Sequence, residues 1–349
     1  MKCKLVLENG REFHGLNFGS NEKKIGEIFF STSMVGYQDI LSDPSYYGKI
    51  ACMSYPLIGN YGLSDEDYDF KNIFIRGYVV KENNDLPSNF RSTRTLSEAM
   101  EENHVTGISD VDTREIVKII RDEGTMKAMI VDENVSLEEC LKELKEYKQE
   151  NITSNVSCKK IWYSRTTNPQ FNVVVLDLGV KTSLVKKLNE YGLNAIVVPY
   201  NTPIDQIKKL KPNGIIISNG PANPNELTDV ISLVKDLKYP LLGMGLGACV
   251  IALSYGNSVN KMKYGHQGGN IPVKNLTTDT IEITTQNQFY SINIEEGNDL
   301  KVTHISVVDN DVEGFEDKKH RIIGVNYNLE NELNENENVI LRFKNIMKK

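Results

Sequence analysis

The chain has 349 residues, with 40 basic against 47 acidic side chains and a formal net charge of −7. Its 40% hydrophobic and 25% charged content is that of an ordinary globular protein, not a disordered or fibrous one, and the length predicts two domains, each able to bury a core. The mild acidity argues against a nucleic-acid partner, which needs a concentrated basic face, and nothing in the composition points to a membrane surface.

The opening MKCKLVLE meets charge before an apolar run of ~7–15 residues can form, so no secretory signal is expected. Strands are predicted over residues 4–7, 27–31 and 73–80, separated by turns such as Ser42-Asp43-Pro44-Ser45. Asp112-Thr113-Arg114-Glu115 has the pattern of a capping box. It opens a helix with Ile116, Ile119 and Ile120 on one face, and Gly124 is placed to stop it. Ser136-Leu137-Glu138-Glu139 repeats the pattern, with Leu137, Cys140, Leu141 and Leu144 as its stripe, which makes Cys140 a core residue. Residues 1–150 therefore read as a mixed α+β domain. Residues 151–170, polar around Trp162, read as an interdomain linker.

From residue 171 to 349 the expectation is an α/β domain. Strands are predicted at 172–178, 195–198, 214–217 and 240–243. Helices are predicted around 184–191, 204–210, 227–237 and 246–253. Short Val/Ile-rich strands alternating with helices indicate βαβ units and a parallel sheet buried on both faces. In such sheets ligands gather at the carboxyl ends of the strands, which singles out the loops 218–224 and 243–247. The longest uncharged stretch, 239–260, has an apolar core shorter than the ~20 residues a membrane-spanning helix needs. It reads as a buried strand–turn–helix. Five scattered cysteines, with no C-x-x-C pair, fit neither a disulfide framework nor a zinc site and suggest a reducing cytoplasm. No metal ligation is expected.

The segment Gly243-Met244-Gly245-Leu246-Gly247-Ala248 admits three readings. It satisfies a G-x-G-x-x-A nucleotide fingerprint, but on the fourth strand of the unit and with no acidic residue about twenty positions on. It could be close packing of helix on strand. The third is a nucleophile elbow, G-x-Nu-x-G, in which a tight strand-to-helix turn presents its middle residue at the top of the sheet. The elbow fits best, yet its middle residue is Gly245, which has nothing to present.

Several further segments carry a likeness along nearly the whole chain. They are residues 32–46 (TSMVGYQDILSDPSY), 55–62 (YPLIGNYG), 110–114 (DVDTR), 218–221 (SNGP) and 261–270 (KMKYGHQGGN). On these the chain resembles the small, glutaminase-type subunit of carbamoyl phosphate synthetase, a class I glutamine amidotransferase. The resemblance implies a cysteine that attacks the glutamine amide, a histidine as base and acid, and a glutamate that orients it. It also implies two backbone N–H groups for the oxyanion. A thiol needs such a neighbouring base to become a thiolate, and the oxyanion needs preplaced donors.

Matched position by position, the family's G-x-C-x-G-H-Q reads 243–249 with Gly245 at the nucleophile and Cys249 at a substrate-holding glutamine. Its V-Q-Y-H-P-E reads 325–330, with Asn328 at the base and Glu330 kept as the orienting acid. The resemblance implies a residual glutamine pocket of Ser45, Gly220, Leu246 and Asn287. Ala222, Cys249 and, in Gln286-Asn287-Gln288-Phe289-Tyr290, Phe289 and Tyr290 are its altered positions. Cys249, one turn past the elbow, is expected in the core. His266 and His304 are expected to be structural, while His14, His104 and His320 read as surface or packing residues. The acidic Asn-rich run 331–338 reads as a solvated loop.

The resemblance thus implies a small subunit that no longer hydrolyses glutamine. It would pair with a large, ATP- and magnesium-using subunit, within a possible higher hetero-oligomer, and itself need no cofactor. Pyrimidine and arginine synthesis both stay open as the pathway served. Two alternatives stay open beside it, a residual glutaminase working through Cys249 and a glutamine-sensing binding module.

Overall fold

A computed structural model describes residues 1–64, 72–149, 152–330 and 338–348. It divides into two compact units, Met1–Glu150 and Asn151–Lys349.

In the first unit, strands β1 (Lys2–Leu7), β2 (Glu12–Gly19) and β3 (Lys24–Ser31) lead into helix α1 (Tyr37–Ser42) and strand β4 (Lys49–Met53). After a short pair, β5 (Leu57–Ile58) and β7 (Glu82–Asn83), interrupted by β6 (Gly77–Val79), come α2 (Leu96–Glu102), β8 (Thr106–Ser109), α3 (Thr113–Glu123), β9 (Met126–Asp132) and α4 (Leu137–Glu146). The strands close into a barrel in the order β1-β2-β8-β6-β4-β3-β9. The sequence predicted strands here without their partners; closure into a barrel came from pairings between segments distant in sequence. The strand expected over 73–80 shrinks to β6.

The helix ends follow local chemistry. Asp112 accepts a hydrogen bond from the Glu115 backbone N–H and opens α3, which Gly124 (φ 98°) ends. Ser136 caps α4 in the same way, and Cys140 packs with Val6, Met129, Val131 and Leu144 as expected. The reciprocal capping box forms elsewhere, at Thr95 and Glu98 of α2.

The second unit starts with α5 (Ile152–Val156) and β10 (Trp162–Ser164). The proposed linker is thus corrected: residues 162–164 pair antiparallel with β12 (Leu193–Pro199) as the edge strand of the sheet. Trp162 is 36% exposed there. An edge strand buries one flank only, so its composition stays polar and resembles a loop.

The remaining elements are β11 (Phe171–Asp177), α6 (Thr182–Glu190), α7 (Ile204–Lys209), β13 (Gly214–Ile217), α8 (Thr228–Asp236), β14 (Leu241–Met244), α9 (Leu246–Ser254) and β15 (Ser258–Asn275). They continue with β16 (Thr280–Asn293), β17 (Lys301–Ser306), β18 (Val312–Asp317), β19 (Ile322–Val325) and α10 (Val339–Met347). The sheet order is β10-β12-β11-β13-β14-β19-β18-β16-β15-β17. Strands β12, β11, β13, β14 and β19 are mutually parallel, as the βαβ pattern predicts. From β18 onward the pairing is antiparallel. Apolar clusters cover both faces of the parallel part, one including Ile217, Leu241 and α9, the other Val175, Leu242 and Phe343.

Candidate functional site

Strand β14 runs buried to Met244, the chain turns at Gly245 (φ 48°, ψ −114°), and α9 begins at Leu246. This is the sharp strand-to-helix turn of an elbow. The Gly245 N–H donates to the Val325 carbonyl at 2.9 Å, tying the turn to the end of β19. The flanking glycines are needed for contact: a Cβ on Gly247 would lie 2.1 Å from the Ile217 carbonyl oxygen, and one on Gly243 would lie 2.8 Å from the Ala248 nitrogen. Close packing and the elbow, weighed as rivals in the sequence, are both present.

The loop after β13 reaches the same edge. Ser218, fully buried, accepts from the Leu178 N–H and donates to the Asn219 carbonyl, both at 2.9 Å. Asn219 then turns its side chain onto the elbow. Its Oδ1 accepts the Leu246 backbone N–H at 3.0 Å. A Cβ on Gly245 would fall 2.3 Å from that same Oδ1. The Asn219 carboxamide thus fills the place into which a side chain at position 245 would project. Gly220 is equally confined, since a Cβ there would meet the Leu178 carbonyl at 2.1 Å.

Around the elbow a cavity of about 20 Å³ remains, lined among others by Asn219, Gly220, Ala222, Leu246, Cys249 and Asn287. Gln288, Phe289, Tyr290 and Asn326 complete it. That is room for about one water molecule, and no carboxamide-bearing amino acid fits. Most of the sequence-predicted pocket positions therefore meet here. Ser45 lies in the first unit, buried in the turn Pro44–Tyr46, with its N–H bonded to Asp43.

Asn328 lies three residues beyond the end of β19, on the edge that carries the elbow. Its backbone N–H donates to the Thr285 carbonyl at 2.9 Å. The side chain is 5% exposed, and among the described residues its Nδ2 has no hydrogen-bond partner. Glu330 is half-buried two residues on. The run after it falls outside the described residues up to position 337. Asn338 is buried and caps α10 through a hydrogen bond from the Ile340 N–H, so it belongs to the fold and not to a solvated loop.

Cys249 is 2% exposed inside the apolar cluster under α9. Burial, reinforced by the carboxylate of Glu313, pushes its thiol up to about 12, so at neutral pH it stays protonated. Among the described residues no histidine lines the cavity. His14 is exposed, His104 pairs with Glu22, and His320 pairs with Asp317 at the other end of the sheet. There Asp299 joins these last two in a cluster. His304 is buried edge-on against Tyr327, and burial with the Arg342 charge lowers it to about 4, so its ring is neutral.

His266 has a more elaborate setting than the sequence indicated. Its Nε2 lies 2.8 Å from Asp309 and its Nδ1 2.8 Å from the Gln286 side-chain oxygen. Glu313, fully buried, is 3.5 Å from Nδ1. Burial alone would lower the imidazole, but the hydrogen bond to Glu313 and the charges of Asp309 and Glu313 raise it to about 9. Burial raises Glu313 to about 7. Gln288 joins this network to the cavity, its Nε2 donating to Glu313 at 2.9 Å. Neither the Asn219 contact nor Glu313 was legible in the sequence. The only available signal was the missing side chain at 245, which leaves space for a neighbouring loop to enter.

The turn at the carboxyl edge of this parallel sheet has the geometry of a nucleophile elbow, and residues 174–347 match the family described as glutamine amidotransferase class-I. Residues 5–130 match the carbamoyl-phosphate synthase small chain, CPSase domain. The chain belongs to the carbamoyl phosphate synthase small chain family. It is 40% identical over 333 residues to the carbamoyl phosphate synthase pyrimidine-specific small chain of Bacillus subtilis, covering 95% of this chain and 91% of that one. It is 42% identical over 332 residues to the small chain of Staphylococcus epidermidis RP62A, covering 93% and 90%. The small chain of Aquifex aeolicus is 40% identical over 345 residues, covering 94% and 93%.

Proposed function

We propose that this chain is a carbamoyl phosphate synthase small subunit that does not itself hydrolyse glutamine. It would brace a large subunit that binds ATP and magnesium and draws on free ammonia. The observation that carries this reading is the elbow. Hydrolysis needs a nucleophile there, a base beside it and a free oxyanion donor. Position 245 is glycine, Asn328 stands where the family likeness puts the base, and the Leu246 N–H is already bonded to Asn219. Removing a nucleophile and base that act together lowers rates by about 10⁶, roughly 8 kcal/mol of barrier. The segments that set this family apart from other amidotransferases persist in the first unit, which supports a role in assembly.

The test is ammonia release from glutamine by the chain together with its large subunit. The expected rate is the no-enzyme rate, while carbamoyl phosphate still forms from ammonium. Glutamine-dependent ammonia release above that background would overturn the proposal. Covalent capture of Cys249 by a glutamine-analogue electrophile would favour a rearranged glutaminase, against which the raised thiol pKa stands. A thermal shift with glutamine would favour a sensor, against which the 20 Å³ cavity stands.

A further inference from the structure

The amino edge of the parallel sheet, opposite the elbow, holds a second cleft. Its volume is about 460 Å³, and it lies where β14 starts at Leu241 and β19 starts at Ile322. Four cations line it: Lys235 from the last turn of α8, Lys238 from the loop after it, and Lys319 and Arg321 from the turn between β18 and β19. No aspartate or glutamate is among its lining residues, in a chain of net charge −7. Among the described residues none of the four cations has a salt bridge or a side-chain hydrogen bond. The turn that carries two of them is pinned from both sides. Buried Asp317 accepts the Lys319 and His320 N–H groups through Oδ1 at 2.9 and 3.1 Å, and the Arg321 carbonyl accepts the Leu241 N–H at 3.0 Å. Arg321 itself is held at φ 60°, a left-handed backbone that arginine rarely adopts.

Lys235 also suits the negative carbonyl end of α8, but Lys319 and Arg321 follow a strand, so no helix end accounts for them. Like charges gathered around one space repel one another, and an anion placed between them relieves that repulsion. The volume falls within the roughly 300–1,000 Å³ of small-molecule sites, and Leu237, Tyr239 and Ile322 add an apolar wall. We propose that this cleft binds a small polyphosphate-bearing anion, its phosphates on Lys235, Lys238, Lys319 and Arg321 and any apolar part against that wall. Arginine meets phosphate oxygens in pairs, and lysines meet them as point charges. The cleft shares no lining residue with the elbow cavity, so glutamine hydrolysis, present or absent, leaves it untouched.

The experiment titrates the full chain, in magnesium-free buffer, with inorganic tripolyphosphate and with adenosine triphosphate by calorimetry. Saturable binding is expected, weakened by added salt. Lys319→Glu combined with Arg321→Glu should bind about ten-fold more weakly. Lys142→Glu combined with Lys145→Glu, an equal charge change on α4, should keep the affinity. Tighter binding of the nucleotide assigns the site to nucleoside polyphosphates, and equal binding assigns it to inorganic polyphosphate; both support it. No saturable binding of either probe, or an equal loss in both double variants, overturns it. Should the first double variant not fold, lysine acetylation of the unsubstituted chain decides. Saturating tripolyphosphate should slow modification of Lys235, Lys238 and Lys319 several-fold and spare Lys142. Rates that the anion leaves unchanged, or slows equally at every lysine, sink the site.

Discussion

At position 245 any side chain meets two obstacles at once. The backbone sits at φ 48° and ψ −114°, a region that L-residues adopt at a cost of about 1–3 kcal/mol, and Asn219 occupies the space the Cβ would take. Gly245→Cys should therefore destabilise the chain by roughly 1–3 kcal/mol in urea unfolding. It should release no ammonia from glutamine, because the Asn328 amide cannot accept the thiol proton. Substantial hydrolysis by that single variant would place the base elsewhere. Motif likeness made the glycine at 245 stand out in the sequence. The Asn219 contact was not legible there, because it joins residues 27 positions apart whose side-chain rotamers no local pattern sets.

Among the elements, the hairpin of β15 and β16 with β18 contributes a polar centre beneath an otherwise apolar sheet. His266 from β15 meets Gln286 and Gln288 of β16, Glu313 of β18 and Asp309 just before it. The imidazole is raised from 6.5 to about 9 in the folded chain, so it holds its proton more tightly than in the unfolded chain. Its contribution to stability is then full below about pH 6.5 and is lost as the pH rises through about 9. Urea unfolding between these limits should show falling stability, and His266→Gln should flatten that slope. A pH-independent midpoint in the unsubstituted chain would argue against a charged His266. The likeness over 261–270 marked His266 as structural. Its partners come from strands 20 to 47 residues away in sequence, and only strand pairing assembles them.

On the scale of the whole molecule, each unit carries its own core. In the first, strands close on themselves, with Leu5, Ile28, Ile50 and Tyr78 fully buried. A closed barrel leaves no unpaired edge to seek a partner strand, and a unit with its own core folds alone. Residues 1–150 expressed by themselves should give one cooperative thermal transition with native-like far-ultraviolet dichroism. A non-cooperative melt would show that the barrel depends on the rest of the chain.

What the sequence determined by itself was local and periodic. It placed the alternating strands and helices from β11 to α9, the caps at Asp112 and Ser136, the glycine-flanked turn at 243–247 and the family likeness. These follow from hydrophobic period, turn chemistry and spacing, which neighbouring residues specify. Tertiary structure alone decided the barrel closure, the pairing of residues 162–164 at the sheet edge, the buried His266–Glu313 network and the seating of Asn219 on the elbow. Each depends on packing and hydrogen bonds between segments far apart in the chain, where burial and the need to satisfy every buried polar group choose among conformations that local sequence leaves equivalent.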